Sequence, residues 1–357
     1  MKEYTVDLVV PVYKPDEKFD KLMQMLQRQT YPIGKILLMN TEEKFFPKRG
    51  YEELPHVEVR HLRKEEFDHG GTRHSAASLL DGDLILFLTQ DAIPQDEYLV
   101  ERLAVAFEDK QVAAAYARQL PYRDCGILER YTRSFNYPEK SSVKSMEDLQ
   151  TYGIKTFFCS NVCAMYRRSV YEKLGGFEKH TIFNEDMILA GKIIQDGGRI
   201  AYVAEAAVIH SHNYGNIEQL RRNFDLAVSQ AEHPEIFGMA KSESEGIRMV
   251  KQSAKYLMEI GKPWMIFKLT ANSGFKYIGY CLGKAYRKLP KWLILRLTMN
   301  RDYWKYDTGK PFFEQIFLKE SSQIEHNSLI NCFQKLRKAS YEGGIQLCMM
   351  NLIIKMR

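Results

Sequence analysis

The chain has 357 residues, 45% of them hydrophobic and 27% charged, which is enough for about two domains with a real core. Disorder, collagen-like repeats and a disulfide-dense secreted scaffold are excluded. The net charge of +6, from 51 basic and 45 acidic residues, is too mild to point to nucleic acid.

Thr5 to Val10 is apolar and β-branched and reads as a strand ended by Pro11-Val12-Tyr13. Pro15-Asp16-Glu17 opens a helix, because proline fits the first turn and acids suit the positive helix end. Phe19, Leu22, Met23 and Leu26 recur at i, i+3, i+4 and i+7 and form its buried face. Lys35 to Met39 and Val57 to Leu62 are the next strands, Arg73 to Leu80 a short helix, and Leu84 to Leu88 a fully buried strand. This alternation predicts an α/β domain with a mostly parallel sheet. Such sheets bind ligands at the carboxyl ends of their strands, which here carry Pro11-Val12-Tyr13, Asn40-Thr41-Glu42 and Thr89-Gln90-Asp91. No G-x-G-x-x-G follows the first strand, which argues against a Rossmann dinucleotide site, and a P-loop is absent.

Val112 to Ala117 is another strand, and residues 118–156 are polar and aromatic with few clear periods. Phe157 to Tyr166 reads as a strand running through Ser160-Asn161. Arg167 to Leu174 and Asp186 to Gln195 are helical, closed by Gly175-Gly176 and Gly197-Gly198. Ile200 to Val203 and Ala207 to Ile209 are short strands, and the last third is mainly helical. Between Lys251 and Lys305 there are 12 Lys and Arg against Glu259 and Asp302, so this stretch is +10 and the rest of the chain −4. Trp264, Phe267, Phe275, Tyr277, Tyr280, Tyr286, Trp292 and Tyr303 are interleaved with those cations. The stretch is either a helical subdomain with a solvated basic face or an amphipathic surface for an anionic membrane. It contains no nucleic-acid module, so no nucleic-acid partner is expected. The six cysteines form no C-x-x-C pair and read as free thiols of a reducing cytosol. Met1-Lys2-Glu3 leads straight into a strand, so no signal peptide is expected, and no run of 18 apolar residues predicts a spanning helix.

Four constellations can carry chemistry. Glu185-Asp186, just ahead of a helix, supplies either helix-end charges or a general base for an acceptor hydroxyl. Asp91, at a strand exit, is a turn residue or a hard oxygen ligand that holds Mg²⁺ or Mn²⁺ against a diphosphate. In His210-Ser211-His212 the two imidazoles share one side of an extended segment, as a metal pair or as hydrogen-bonded core histidines. In Phe67-Asp68-His69-Gly70-Gly71-Thr72-Arg73 the paired glycines allow close backbone approach to a ligand and Arg73 can bind phosphate, or the segment is a simple turn.

In this order the motifs resemble family 2 glycosyltransferases with the GT-A fold. Val9-Val10-Pro11-Val12-Tyr13 resembles the family's first nucleotide-binding strand, and Thr89-Gln90-Asp91 stands at its D-x-D position. Leu174-Gly175-Gly176-Phe177 followed by Asn184-Glu185-Asp186 resembles the segment carrying the catalytic base. Gly198-Arg199-Ile200-Ala201-Tyr202-Val203 and Val208-Ile209-His210 match its later strand and metal-side histidine. A narrower resemblance is to bacterial rhamnosyltransferases of surface polysaccharide synthesis. It rests on Glu66-Phe67-Asp68-His69-Gly70-Gly71-Thr72-Arg73, Leu88-Thr89-Gln90-Asp91-Ala92 and His210-Ser211-His212-Asn213-Tyr214. Thr89 replaces the first acid of the D-x-D, leaving one carboxylate for a metal, and His74 stands where that branch has Asn.

The resemblance implies a mixed Rossmann-like sheet over residues 1–235, a basic helical membrane or acceptor region over 236–307, and a tail over 308–357 with no assigned role. It implies an inverting transfer of L-rhamnose from dTDP-β-L-rhamnose to a lipid-linked glycan. Asp186 is then the base and Glu185 orients the acceptor. Asp91, His210 and His212 are metal ligands. Pro11, Tyr13, Asn40, Glu42, His69, Gly70, Thr72, Arg73, Gln90 and Asp91 line the donor. The expected place is the cytoplasm, at the inner face of the cell membrane. Another nucleotide sugar (galactofuranosyl or N-acetylglucosaminyl), a non-catalytic membrane-bound scaffold and a homo-oligomer stay open.

Overall fold

The computed structural model describes residues 3–240 and 243–305. In chain order the first part of the chain contains β1 (Val6–Tyr13), α1 (Glu17–Leu26), β2 (Ile33–Thr41), β3 (Val57–Leu62), α2 (His69–Ala77), β4 (Leu84–Leu88), β5 (Ile93–Pro94) and α3 (Leu99–Val105). It continues with β6 (Val112–Leu120), α4 (Ile127–Asn136), β7 (Ser142–Lys144), α5 (Leu149–Tyr152), β8 (Cys163–Arg167), α6 (Arg168–Lys173), α7 (Glu185–Gln195) and β9 (Arg199–Ile209). Helices α8 (Asn216–Glu232), α9 (Pro234–Phe237), α10 (Glu243–Glu259), α11 (Met265–Lys284) and α12 (Lys291–Leu297) follow.

The strands form one mixed nine-stranded sheet in the order β3-β2-β1-β4-β8-β6-β9-β5, with β7 also on β9. β1 to β4 pair in parallel, whereas β8 runs antiparallel to both β4 and β6. The two-residue period sorts the apolar strands onto two faces. Leu8, Val10, Leu84, Leu86 and Leu88 pack with Phe19, Leu22, Met23 and Leu26 of α1. Val9, Ile85 and Phe87 pack on the other face, with Ala76 and Ala77 of α2 and Ile188 and Leu189 of α7. The polar ends of all these strands therefore emerge between two helical layers.

Three expected boundaries move. Helix α2 begins at His69 rather than Arg73, because Asp68 caps it: its carboxylate accepts from Gly71 N, and Thr72 Oγ1 accepts from Asp68 N at 3.1 Å. Gly70 lies within that helix, where a Cβ would sit 1.9 Å from the Glu178 carbonyl oxygen. The strand expected over Phe157 to Tyr166 is only β8, because Gly153–Phe157 is a 3-10 helix and the Asn161 amide bonds a carboxylate instead of a ladder. The two strands expected at Ile200 to Val203 and Ala207 to Ile209 are one, β9. It carries a bulge where Ala117 pairs with Val203 but Arg118 pairs with Ala207.

The helical region packs through its own core of Leu220, Phe224, Val228, Tyr286, Ile294, Leu297 and Trp304. Helix α8, which falls inside the expected catalytic domain, supplies three of those residues. Helix α11 runs parallel to it at close range, because a Cβ on Gly279 or Gly283 would lie 2.1 or 2.3 Å from the Leu220 and Phe224 carbonyl oxygens. Cys125, Cys159 and Cys163 are buried free thiols. The expected tail over 308–357, with Cys332 and Cys348, lies outside the described residues. Among the described residues no helix is long and apolar enough to cross a membrane.

Candidate active site

The end of β4 and the segment after β9 bring three sequence candidates together. Asp91 Oδ2 lies 3.5 Å from His210 Nε2 and 3.6 Å from His212 Nε2. A cation with bonds of about 2.1 Å separates neighbouring ligand atoms by roughly 3–3.5 Å, so the spacing suits one. Protonation does not hold these groups together. Burial keeps His210 neutral, helped by the nearby His212, Arg133, Arg222 and Lys18, and burial lowers His212 as well.

The hydrogen bonds fix the tautomer of His210. Arg133 offers only donors, so the Gln119 atom facing its Nη1 is the carbonyl oxygen. That same oxygen lies 3.2 Å from His210 Nδ1, so Nδ1 carries the proton and donates. The Nε2 lone pair then faces the Asp91 carboxylate, an arrangement that repels without a cation and suits a divalent metal.

The first turn of α7 carries Glu185 and Asp186. Asn184 precedes them at φ 64°, a left-handed conformation that asparagine tolerates, and its Nδ2 donates to Leu226 O of α8 at 3.1 Å. Glu185 meets Arg73 at 3.2 Å and Asn161 Nδ2 at 3.4 Å. Burial opposes its ionisation, but Arg73 and His69 outweigh burial and hold it below the usual carboxylate range. Asp186 accepts from Asn161 N at 3.0 Å and from Met187 N at 2.8 Å. Burial, and then the charge of Glu185, push its pKa up to about 7. One carboxylate of the pair stays ionised while the other exchanges a proton near neutrality, which is the property of a general base.

The donor candidates sit differently. Tyr13 is exposed, with Phe45 edge-on at 5.9 Å. Pro11 is half-buried beside it on β1. Gln90 spends its amide on the Tyr13 backbone, accepting from Tyr13 N at 2.8 Å and donating to Tyr13 O at 2.9 Å, so it ties the end of β1 to the segment after β4. Glu42 adopts φ 63° and pairs with Lys44 at 2.8 Å. Asn40 is buried, with Nδ2 against His61 Nδ1 at 2.9 Å. Asn40 Oδ1, Thr41 Oγ1 and Thr89 Oγ1 are buried without a hydrogen-bond partner, at the carboxyl ends of β2 and β4. Arg73 turns to Glu185 and to His69 O (2.8 Å). Thr72 caps α2 and Gly70 packs on Glu178, so this motif buttresses the carboxylate pair.

The chain matches a family profile described as glycosyl transferase family 2 over residues 7–175. It is 39% identical over 312 residues to the O-antigen chain rhamnosyltransferase RfbN of Salmonella typhimurium, covering 85% of this chain and 98% of that one. Over 311 residues it is 38% identical to the O-antigen chain rhamnosyltransferase WbaN of Salmonella anatum, with the same coverage. The chain belongs to glycosyl transferase family 2. This glycosyltransferase shares its fold with the mannosyltransferase PcManGT from Pyrobaculum calidifontis, solved in complex with GDP-Man and Mn²⁺. The TM-score is 0.50 at 15% identity, covering 86% of this chain and 84% of that one. That likeness establishes the GT-A fold and nothing further.

Several residues around the candidate site carry no motif. Gln119 is buried at the end of β6, and its Nε2 donates to Ser160 Oγ at 3.0 Å. Ser160 adjoins Asn161, so hydrogen bonds run from Asp186 through this turn and Gln119 to His210. Lys144 pins the approach to the turn, donating to Lys155 O at 2.9 Å and Phe158 O at 2.6 Å. Arg222 stacks on Phe183 at 4.8 Å and, with Arg133 and Lys18, makes the surroundings of the histidine pair positive. Removing the outer partner of a ligating histidine typically costs about 10–100-fold in metal affinity. Gln119→Met should weaken Mn²⁺ binding by that order, whereas Gln119→Glu still accepts from Nδ1 and should restore it. Titration of Mn²⁺ followed by electron paramagnetic resonance measures both; equal affinities in the two variants would contradict the tautomer assignment.

Proposed function

We propose that this glycosyltransferase moves L-rhamnose from dTDP-β-L-rhamnose to a lipid-linked glycan, with inversion, at the inner face of the cell membrane during surface polysaccharide assembly. The observation that carries the reading is the near full-length similarity to two O-antigen chain rhamnosyltransferases in a chain whose base candidate and metal cluster are linked by hydrogen bonds through the Ser160-Asn161 turn and Gln119. Asp91, His210 and His212 are the residues that would hold Mg²⁺ or Mn²⁺, which would offset charge growing on the leaving diphosphate. Arg222, Arg133 and Lys18 add fixed positive charge at the same end. Pro11, Tyr13 and Glu42 are the residues that would contact base and ribose.

Asp186 takes the acceptor hydroxyl proton as that oxygen bonds to the anomeric carbon and the bond to the diphosphate breaks. A single displacement converts the β-L-rhamnosyl donor into an α-L-rhamnoside. Asn161 N aims the Asp186 carboxylate, and Arg73 holds Glu185 ionised beside it. A panel of nucleotide sugars tests the donor. dTDP-β-L-rhamnose should raise the melting temperature and release nucleotide, whereas UDP-galactofuranose and UDP-N-acetylglucosamine should do neither. Preference for either UDP-sugar would displace the rhamnosyl reading.

A further inference from the structure

The basic aromatic stretch divides in the structure. Tyr286 and Tyr303 are buried in the helical core and Phe275 packs against it. At the turn between α10 and α11 the apolar side chains face outward instead: Phe267 is 83% exposed, Trp264 64%, Met258 60% and Ile260 37%. Gly261, at φ 66°, makes the turn tight, so these four side chains crowd one hairpin tip. Lys251, Lys255, Lys262 and Lys268 flank them in sequence, and Glu259, which pairs with Lys255 at 3.8 Å, is the single acid between Lys251 and Arg301. An outward Phe and Trp on a lysine-rich turn are costly in water and suited to a headgroup boundary, where the rings enter the acyl region and the lysines meet phosphates.

The packing of α11 gives the tip a direction. Asn272 donates to Asn216 at 3.4 Å, Gly279 abuts Leu220 and Gly283 abuts Phe224, so α8 and α11 run parallel. Phe267 precedes Asn272 by five residues, which is about 7.5 Å of helix. The tip therefore projects past the first turn of α8, on the side where the His210–Tyr214 segment enters that helix. Tyr256 of α10 stacks on Tyr131 of α4 at 4.5 Å, and α4 carries Arg133, so the hairpin is tied to the catalytic cleft.

We propose that the α10–α11 turn is a docking tip for an anionic glycerophospholipid bilayer, with Met258, Ile260, Trp264 and Phe267 inserting and the four lysines binding lipid phosphates. The inference rests on the membrane reading above and locates it. Docked this way, the tip holds the cleft facing the bilayer, within reach of a lipid-linked acceptor. The test is flotation of the full chain with phosphatidylcholine vesicles and with phosphatidylcholine–phosphatidylglycerol vesicles. The wild type should float with the anionic vesicles alone. Trp264→Ser/Phe267→Ser should lower the bound fraction at least tenfold while donor-induced thermal stabilisation is retained, which shows the variant folded. Lys262→Glu/Lys268→Glu should lower it similarly at low salt. Wild-type flotation that persists in the aromatic variant overturns the tip but leaves the membrane reading standing. Absence of wild-type flotation overturns both. A wild-type dimer dissociated by the aromatic variant, without flotation, assigns the patch to a second copy and overturns the proposal.

Discussion

Asp186→Asn should abolish turnover while leaving donor binding near its wild-type level. The amide keeps the shape of the side chain and can still accept from Asn161 N, but it cannot take a proton. Loss of a positioned general base typically costs about 10²–10⁴-fold in rate. The wild-type pH profile should carry the same signature. The base works only when ionised, and its pKa lies at about 7, raised by burial and by the charge of Glu185. kcat/KM should therefore fall as pH drops below that value. Stability follows the opposite sign. A carboxyl whose pKa is raised in the folded state binds its proton more tightly there than in the unfolded chain. Its contribution is complete below the unfolded value of about 4 and is lost as pH rises through the folded one. The Asn variant, carrying no charge, should be more thermostable than wild type at pH 8 and lose that advantage at pH 5. A variant that is inactive and also less stable at pH 8 would indicate misfolding rather than loss of a base.

Asp91→Ala and His210→Ala should each reduce Mn²⁺ affinity by more than the roughly 10–100-fold expected for losing only the outer partner of a ligand. Asp91 supplies the one carboxylate of the cluster and His210 the nitrogen whose lone pair already faces it. His212, less buried and stacked on Tyr214 at 5.0 Å, should matter less. Burial, with Arg133, Arg222 and Lys18 close by, keeps both histidines neutral. Protons should therefore compete little for the metal near pH 7. Equilibrium dialysis of Mn²⁺ against each variant checks the order. An unchanged affinity in Asp91→Ala would remove that residue from the site.

Residue type and chain position made part of this site legible in the sequence. Asp91 and His210 follow hydrophobic runs too apolar to be anything but buried strands, so their polar groups had to emerge at the sheet edge. Gly175-Gly176 ahead of Glu185-Asp186 was equally visible. In the structure Gly176 lies at φ 65°, where a Cβ would meet His74 and Tyr171. Gln119 and Arg133 were not legible, because a glutamine in a strand and an arginine on a helix acquire a role only when α4 packs on β6. Arg73 pointed toward phosphate by chemistry alone, and its partner Glu185 is distant in sequence. Asn161 was absorbed into a strand pattern because nothing local reveals that its amide bonds Asp186. The aromatic stretch could not be divided into core and tip until the parallel α8–α11 packing, set by Gly279 and Gly283, showed which rings faced inward.

The central claim is a single displacement of a rhamnosyl group driven by Asp186. The anomeric configuration of the product, read from the one-bond C1–H1 coupling after incubation with dTDP-β-L-rhamnose and a lipid-linked glycan acceptor, tests it most directly. An α-L-rhamnoside, formed by the wild type and absent with Asp186→Asn, is the expected result. A β-L-rhamnoside, or an Asp186→Asn enzyme that still forms the α product at the wild-type rate, would contradict the account.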